Sequence, residues 1–123
     1  MEAPTPPAVL VIDDEPPVAR LLAFALRNEG CDVRIARDAR EADRELTQFR
    51  PDLVVCDVRL PGVSGVEFVN AFKARPAFKD VPVLLMSIYD RPRSVRADGF
   101  IPKPFDIQTF LNSVRPYLKH GAA

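Results

Sequence analysis

No stretch of this 123-residue chain holds the ~18 consecutive apolar residues that a membrane-spanning helix needs. The opening MEAPTPPAVL has neither a basic start nor a long apolar stretch behind it, so the expected address is the cytoplasm. Net charge is missing as well. Lys+Arg and Asp+Glu number 17 each, and no direct nucleic-acid or membrane binding is expected of a chain so balanced. Only two cysteines occur, Cys31 and Cys56, without CxxC spacing; both read as small core residues rather than a disulfide. The single histidine, His120, falls in the terminal KHGAA and is no ligand candidate. No GxGxxG follows a strand, which removes a dinucleotide fold, and there is no internal repeat.

What is present suits one globular domain. Apolar residues make up 47% and charged ones 28%, and a chain of this length buries about two-thirds of its unfolded surface. Residues 1–7, rich in proline, read as a flexible lead, 8–118 as the domain and 119–123 as a tail. Strand-length apolar runs, AVLVID (8–13), CDVRIA (31–36), DLVVCD (52–57), VPVLLMS (81–87) and GFIP (99–102), alternate with helix-period stretches. Val18, Leu21, Leu22, Ala25 and Leu26 mark a first helix, with Pro16 and Pro17 in its first turn and Gly30 past its end. Ala39, Ala42 and Leu46 mark a second. Val66, Val69, Ala71 and Phe72 mark a third, capped by Ser64, and Ile107, Phe110, Leu111 and Val114 a last one after Asp106. Those stripes are expected in the core. Alternation of this kind gives an α/β, doubly wound parallel sheet with helices on both faces, whose ligands bind beyond the carboxyl ends of the strands.

Polar residues collect where that rule points. The first strand runs into Asp13 and Asp14, the third ends in Asp57, the fourth in Ser87, and the fifth leads to Lys103. Two like charges at ~4 Å and an effective dielectric of ~20 repel by roughly 4 kcal/mol, so crowded carboxylates call for a cation. Mg²⁺, a hard ion taking oxygen ligands, fits them. Asp57 can then serve as a nucleophile towards phosphorus, with Lys103 and the Ser87 hydroxyl neutralising the phosphoryl oxygens. No His, Glu or Cys is placed as a separate general base, which favours acceptance of a phosphoryl group over turnover of an outside substrate.

The blocks VLVIDDE, PDLVVCDVRLPGVSG, VLLMS and GFIPKPF, in this order and spacing, resemble the signatures of response-regulator receiver domains, the phosphoacceptor parts of bacterial two-component systems. The resemblance covers residues 8–118 and implies a flavodoxin-like (βα)5 sheet in order 2-1-3-4-5. It implies that Asp57 is the phosphoacceptor and that Asp13, Asp14, Asp57 and the Arg59 backbone carbonyl serve Mg²⁺, for which Mn²⁺ can substitute. It makes Ser87 and Lys103 the partners of the phosphoryl group, Ser87 and Phe100 the switch residues, and the Lys103–Pro104 peptide cis. The implied partners are a sensor histidine kinase or phosphotransfer protein, an output domain or downstream protein, and a second copy of the chain in a homodimer. No enzymatic activity beyond self-directed phosphoryl acceptance and autodephosphorylation is implied.

Two departures from the pattern stand out. Only eleven residues, IYDRPRSVRAD, separate Ser87 from Gly99, at the floor of ~10–12 for a crossover with its helix. The fourth helix is therefore expected to be stunted or replaced by an irregular loop, and with it part of the family's usual partner surface. Ile88 follows Ser87 where the resemblance implies a small residue, and Arg59 and Tyr89 occupy positions that in the family flank the access route to Asp57; all three are expected to modulate access, whereas Arg91, Arg93 and Arg96 read as a solvated basic cluster. The alternative function is a receiver-like interaction module whose site is poorly phosphorylated or not at all. A haloacid-dehalogenase-like phosphatase wants a second acid two residues after its nucleophile, where this chain has Arg59.

Overall fold

The computed structural model describes residues 5–118. His120, most of the proline-rich lead and the 119–123 tail lie outside them. Five strands, β1 (Ala8–Ile12), β2 (Asp32–Ala36), β3 (Leu53–Asp57), β4 (Val83–Ser87) and β5 (Gly99–Pro102), form one parallel sheet in order β2-β1-β3-β4-β5. Helix α1 (Pro16–Asn28) links β1 to β2, α2 (Ala39–Leu46) links β2 to β3, α3 (Gly65–Ala74) follows β3, and α4 (Ile107–Val114) follows β5. Short 3-10 turns follow α3 at Pro76–Phe78 and α4 at Arg115–Leu118. Several strands start a residue or two later than their apolar runs, because the leading residues are taken up by the turn into the sheet.

Each helix begins where its sequence allows. Pro16 and Pro17 occupy first-turn positions where a missing N–H costs nothing. Asp38, Ser64 and Asp106 cap α2, α3 and α4 by accepting from the backbone N–H of Glu41 (2.8 Å), Glu67 (3.2 Å) and Thr109 (2.7 Å). Gly30, just past α1, has φ +92°, the left-handed conformation that glycine adopts without strain.

Period-two alternation sends successive strand residues to opposite faces. Val9, Val11, Leu53, Val55, Leu84, Met86 and Ile101 pack under α1 and α4, together with Leu22, Leu26 and Phe110. Leu10, Ile12, Val54, Cys56, Val83 and Leu85 pack under α2 and α3, with Phe68, Phe72 and Phe78. The two cysteines are free and buried, Cys31 in the first layer and Cys56 in the second.

Two helical stripes differ from expectation. On α1 the buried set is Ala19, Leu22, Ala23, Ala25 and Leu26, while Leu21 is 52% exposed and Phe24, three residues on, 64% exposed. Positions 19, 22, 23 and 26 repeat the i, i+3, i+4, i+7 spacing of 18, 21, 22 and 25 one residue further on, so packing turns the helix by one position, and the alanines let α1 lie close to the sheet. On α3 Ala71 is exposed and Phe68 buried in its place, for the same rotational reason.

No helix forms between Ser87 and Gly99. Eleven extended residues reach at most about 36–40 Å. Leaving the sheet for a layer ~10 Å away, returning ~13 Å along a five-residue strand and re-entering uses about 33 Å. Too little chain is left to coil, and residues 88–98 form a strap across the sheet edge.

Candidate functional site

Parity along the strands decides which side chains meet. Asp13, two residues beyond Val11, and Asp57, two beyond Val55, continue the pleat that faces α1 and α4, and Lys103 continues it from Ile101. Asp13 is fully buried and Asp57 is 6% exposed. The Lys103 Nζ lies 2.7 Å from Asp57 Oδ2 and 3.5 Å from Asp13 Oδ2. Asp57 Oδ1 accepts from the Arg59 N–H at 3.0 Å, and Asp13 Oδ1 from the Glu15 N–H at 2.9 Å. Asp13 Oδ2 is buried and accepts no hydrogen bond; the lysine approaches it only at ion-pair distance.

Asp14 is exposed at the rim, yet one oxygen from each of Asp13, Asp14 and Asp57 falls within 4.8 Å of the others. Burial pushes the Asp13 carboxyl above its ordinary pKa, against the pull of the Glu15 N–H and Lys103. Burial also opposes the Lys103 ammonium, but its bond to Asp57 and the charges of Asp13 and Asp57 outweigh it and leave the lysine more basic than usual. Three carboxylates thus face one ammonium. A divalent cation would balance that deficit and give the orphaned Asp13 oxygen a ligand role, so the residues present fit a hard, oxygen-seeking ion.

Ser87 is 3% exposed and sits on the other pleat, with Phe100, facing α2 and α3. It shares with Asp14, Glu15, Asp57, Arg59, Ile88 and Lys103 an open cleft of about 570 Å³. The Lys103 N–H donates to the Ser87 carbonyl at 2.8 Å, which ties the lysine's position to the end of β4, and the Lys103–Pro104 peptide is cis. Phe100 is half-buried against the α2 and α3 layer. Ile88 and Tyr89 are 62% and 59% exposed, and Arg59, which lines the cleft, donates from Nη1 to Tyr89 Oη at 3.4 Å.

Gly65 escaped the sequence reading. Its N–H donates to Val58 O at 2.8 Å, and any Cβ there would run into the Asp57 carbonyl oxygen. A glycine at the first helical position, where other residues form helix better, was the available signal. Cys56, fully buried behind the site, donates its thiol to the same Asp57 carbonyl at 3.3 Å, and burial pushes its pKa far up.

Residues 9–115 match the family described as response regulator receiver domain. The chain belongs to that family. The receiver is 37% identical over 120 residues to the probable transcriptional regulatory protein TcrX of Mycobacterium tuberculosis, covering 93% of this chain and 50% of that one. The chain spans about half the length of the curated relatives it matches. Among solved structures it resembles the chemotaxis response regulator CheY4 of Vibrio cholerae, with TM-score 0.86, 30% identity, 93% of this chain and all of that one covered. It also resembles the response regulator TrrA of Thermotoga maritima, solved in complex with Mg(2+)-BeF, with TM-score 0.80, 30% identity, and 91% and 99% covered. The receiver shares their flavodoxin-like architecture, with four α-helices among the described residues.

Proposed function

We propose that this receiver accepts a phosphoryl group on Asp57 and thereby switches a protein-interaction surface. The observation that carries the reading is the unbalanced charge of the site: Asp13, Asp14 and Asp57 against Lys103, with one buried Asp13 oxygen lacking a hydrogen bond. In the transfer, an Asp57 carboxylate oxygen forms a bond to phosphorus while the bond from phosphorus to the donor's leaving atom breaks, and that atom keeps the electron pair. Lys103, already on Asp57, offsets the charge of the incoming oxygens, and the Ser87 hydroxyl donates to one of them. Mg²⁺, or Mn²⁺ in its place, held by the three aspartates and the Arg59 carbonyl, supplies further charge neutralisation when bound. Asp13 and Asp14 position it. Ser87 and Phe100, on the same pleat, carry the change to the surface, and Arg59, Ile88 and Tyr89 govern access at the rim.

The donor is a sensor histidine kinase or phosphotransfer protein, and the recipient of the signal an output domain, a downstream protein or a second copy of the chain. No chemistry on an outside substrate is assigned. The contact of the cleft-lining Arg59 with Tyr89 favours a second reading, a binding module in which phosphorylation is slow or absent. Intact mass after incubation with acetyl phosphate and Mg²⁺ decides between them. One phosphoryl adduct, absent from Asp57→Asn and from a chelated sample, is the expected result; an unmodified wild-type mass with Mg²⁺ bound would leave only the binding module.

A further inference from the structure

The strap between β4 and β5 is held by side chains of α3 rather than by a helix of its own. Asn70 Nδ2 donates to the Ser94 carbonyl at 2.8 Å, and Asn70 Oδ1 accepts from the Arg96 N–H at 2.9 Å. Val95, between them, packs with Ala97 on the α2 and α3 layer, and Lys73 Nζ donates to the Asp98 carboxylate at 3.0 Å. Ser94 itself stays exposed. Of the four serines, three have employed hydroxyls: Ser64 Oγ accepts from Glu67 N at 3.2 Å, Ser87 Oγ accepts from Tyr89 N at 3.0 Å, and Ser113 Oγ donates to the Thr109 carbonyl at 3.0 Å. The Ser94 hydroxyl neither donates nor accepts among the described residues. Arginines flank it three positions before, one before and two after, in the run RPRSVR (91–96). Arg91 Nη2 donates to the Ala97 carbonyl at 2.8 Å, spanning Ser94, whereas the guanidiniums of Arg93 and Arg96 have no hydrogen bond or ion pair among the described residues.

A solvated basic face would account for the arginines alone. An exposed, unemployed hydroxyl set among them, on backbone that is neither helix nor strand, is also what a protein kinase with an acidic substrate groove selects by charge. We infer that Ser94 is a phosphorylation site for an arginine-directed serine/threonine protein kinase, an input separate from Asp57. Ser94 Oγ forms a bond to the γ-phosphorus of ATP while the bond from that phosphorus to the β,γ-bridging oxygen breaks; ADP leaves with the electron pair, and the hydroxyl proton passes to a base of the kinase. The strap carries Arg91, Arg93 and Arg96 against Asp90 and Asp98, one excess positive charge. A phosphoester of about −1.5 to −2 reverses that sign and offers three acceptor oxygens to the neighbouring guanidiniums. A kinase grips the residues on both sides of its serine, so the strap must lift to be modified. Asn70 resists this, and the rate follows the population in which its two bonds are open.

The test uses the 123-residue chain carrying Asp57→Asn, so that no acyl phosphate contributes, with Mg-ATP and the catalytic domain of protein kinase C as the arginine-directed probe. A peptide of residues 88–98 serves as the probe's reference substrate. One phosphoryl adduct is expected by intact mass, stable to hydroxylamine, mapped to Ser94 and absent from Ser94→Ala. Replacing Arg91 and Arg96 together by Gln should slow its formation roughly tenfold or more. Asn70→Ala should speed it roughly five- to thirtyfold. Should Asn70→Ala fail to fold, the serine and arginine variants decide without it. A peptide that accepts no phosphate removes the motif as a substrate, and a folded chain left unmodified while the peptide reacts means that the strap withholds its hydroxyl. An adduct that persists in Ser94→Ala, or forms at an unchanged rate without the arginines, belongs to another site or another logic. Each of these overturns the inference, and none bears on acetyl phosphate labelling of Asp57 in wild type.

Discussion

Asp13 holds a charge inside the protein with one oxygen lacking a hydrogen bond, a cost the fold bears in the absence of a cation. Asp13→Asn keeps the shape and removes the charge. Without divalent metal it is expected to be more stable than wild type by about 1–2 kcal/mol, while its stability no longer responds to Mg²⁺. Chemical denaturation with and without Mg²⁺ measures both effects, and a less stable, still Mg²⁺-responsive variant would contradict this account of the site. The side chains of this cluster were legible in the sequence because each sits at a strand's carboxyl end, where type and position reinforce one another. Gly65 was not, since its requirement comes from the distance between the start of α3 and the Asp57 carbonyl, which the sequence does not encode locally. Asn70 was hidden for a related reason: its partners, Ser94 and Arg96, lie 24 and 26 residues away.

Between elements, a polar contact joins the end of α1 to the end of α4: Arg115 Nε and Nη2 donate to Glu29 at 3.0 and 3.3 Å. The Arg115 hydrogen bond holds the Glu29 carboxyl below its usual 4.5. A group depressed in the folded state contributes stability that is full above its unfolded pKa and is lost as pH falls through the folded one. Glu29→Gln should therefore flatten the acid limb of stability below about pH 4.5 and lower the plateau slightly at neutral pH. Thermal unfolding across pH 3–7 would show it, and acid limbs that superimpose would rule the contact out as a contributor. At this scale the strands and the four helices of the described residues were legible from periodicity, and a fourth crossover helix either stunted or replaced by a loop from counting eleven residues against the ~10–12 that a crossover needs. Rotation of a helix about its axis was less legible. Leu21 and Ala71 are apolar and near the stripe, and only packing against the sheet assigns that face to Ala19 and Phe68.

As a whole the receiver couples one site to one cooperative fold, so an ion that binds only the folded form raises its stability by mass action. At a hundred times its dissociation constant Mg²⁺ adds about 2.7 kcal/mol, which for a domain of this size is an upward shift in Tm of roughly 10 °C. Calorimetry over a Mg²⁺ titration would register it; an unchanged Tm would mean that the folded chain does not bind the ion, and the same shift in Asp13→Asn would place the ion elsewhere. The chain's order of strands followed from resemblance rather than from periodicity, since alternating strands and helices are compatible with several parallel sheets. Finally, the two buried thiols lie on opposite sides of that sheet, Cys31 beneath α1 and Cys56 behind Asp57. Burial pushes the Cys31 thiol up to about 11 and the Cys56 thiol still higher, so neither reacts while its layer is closed. Each layer thus contains its own chemical clock: equal labelling rates for the two thiols would mean that the sheet loses both coverings in one event, and unequal rates would identify which side opens first.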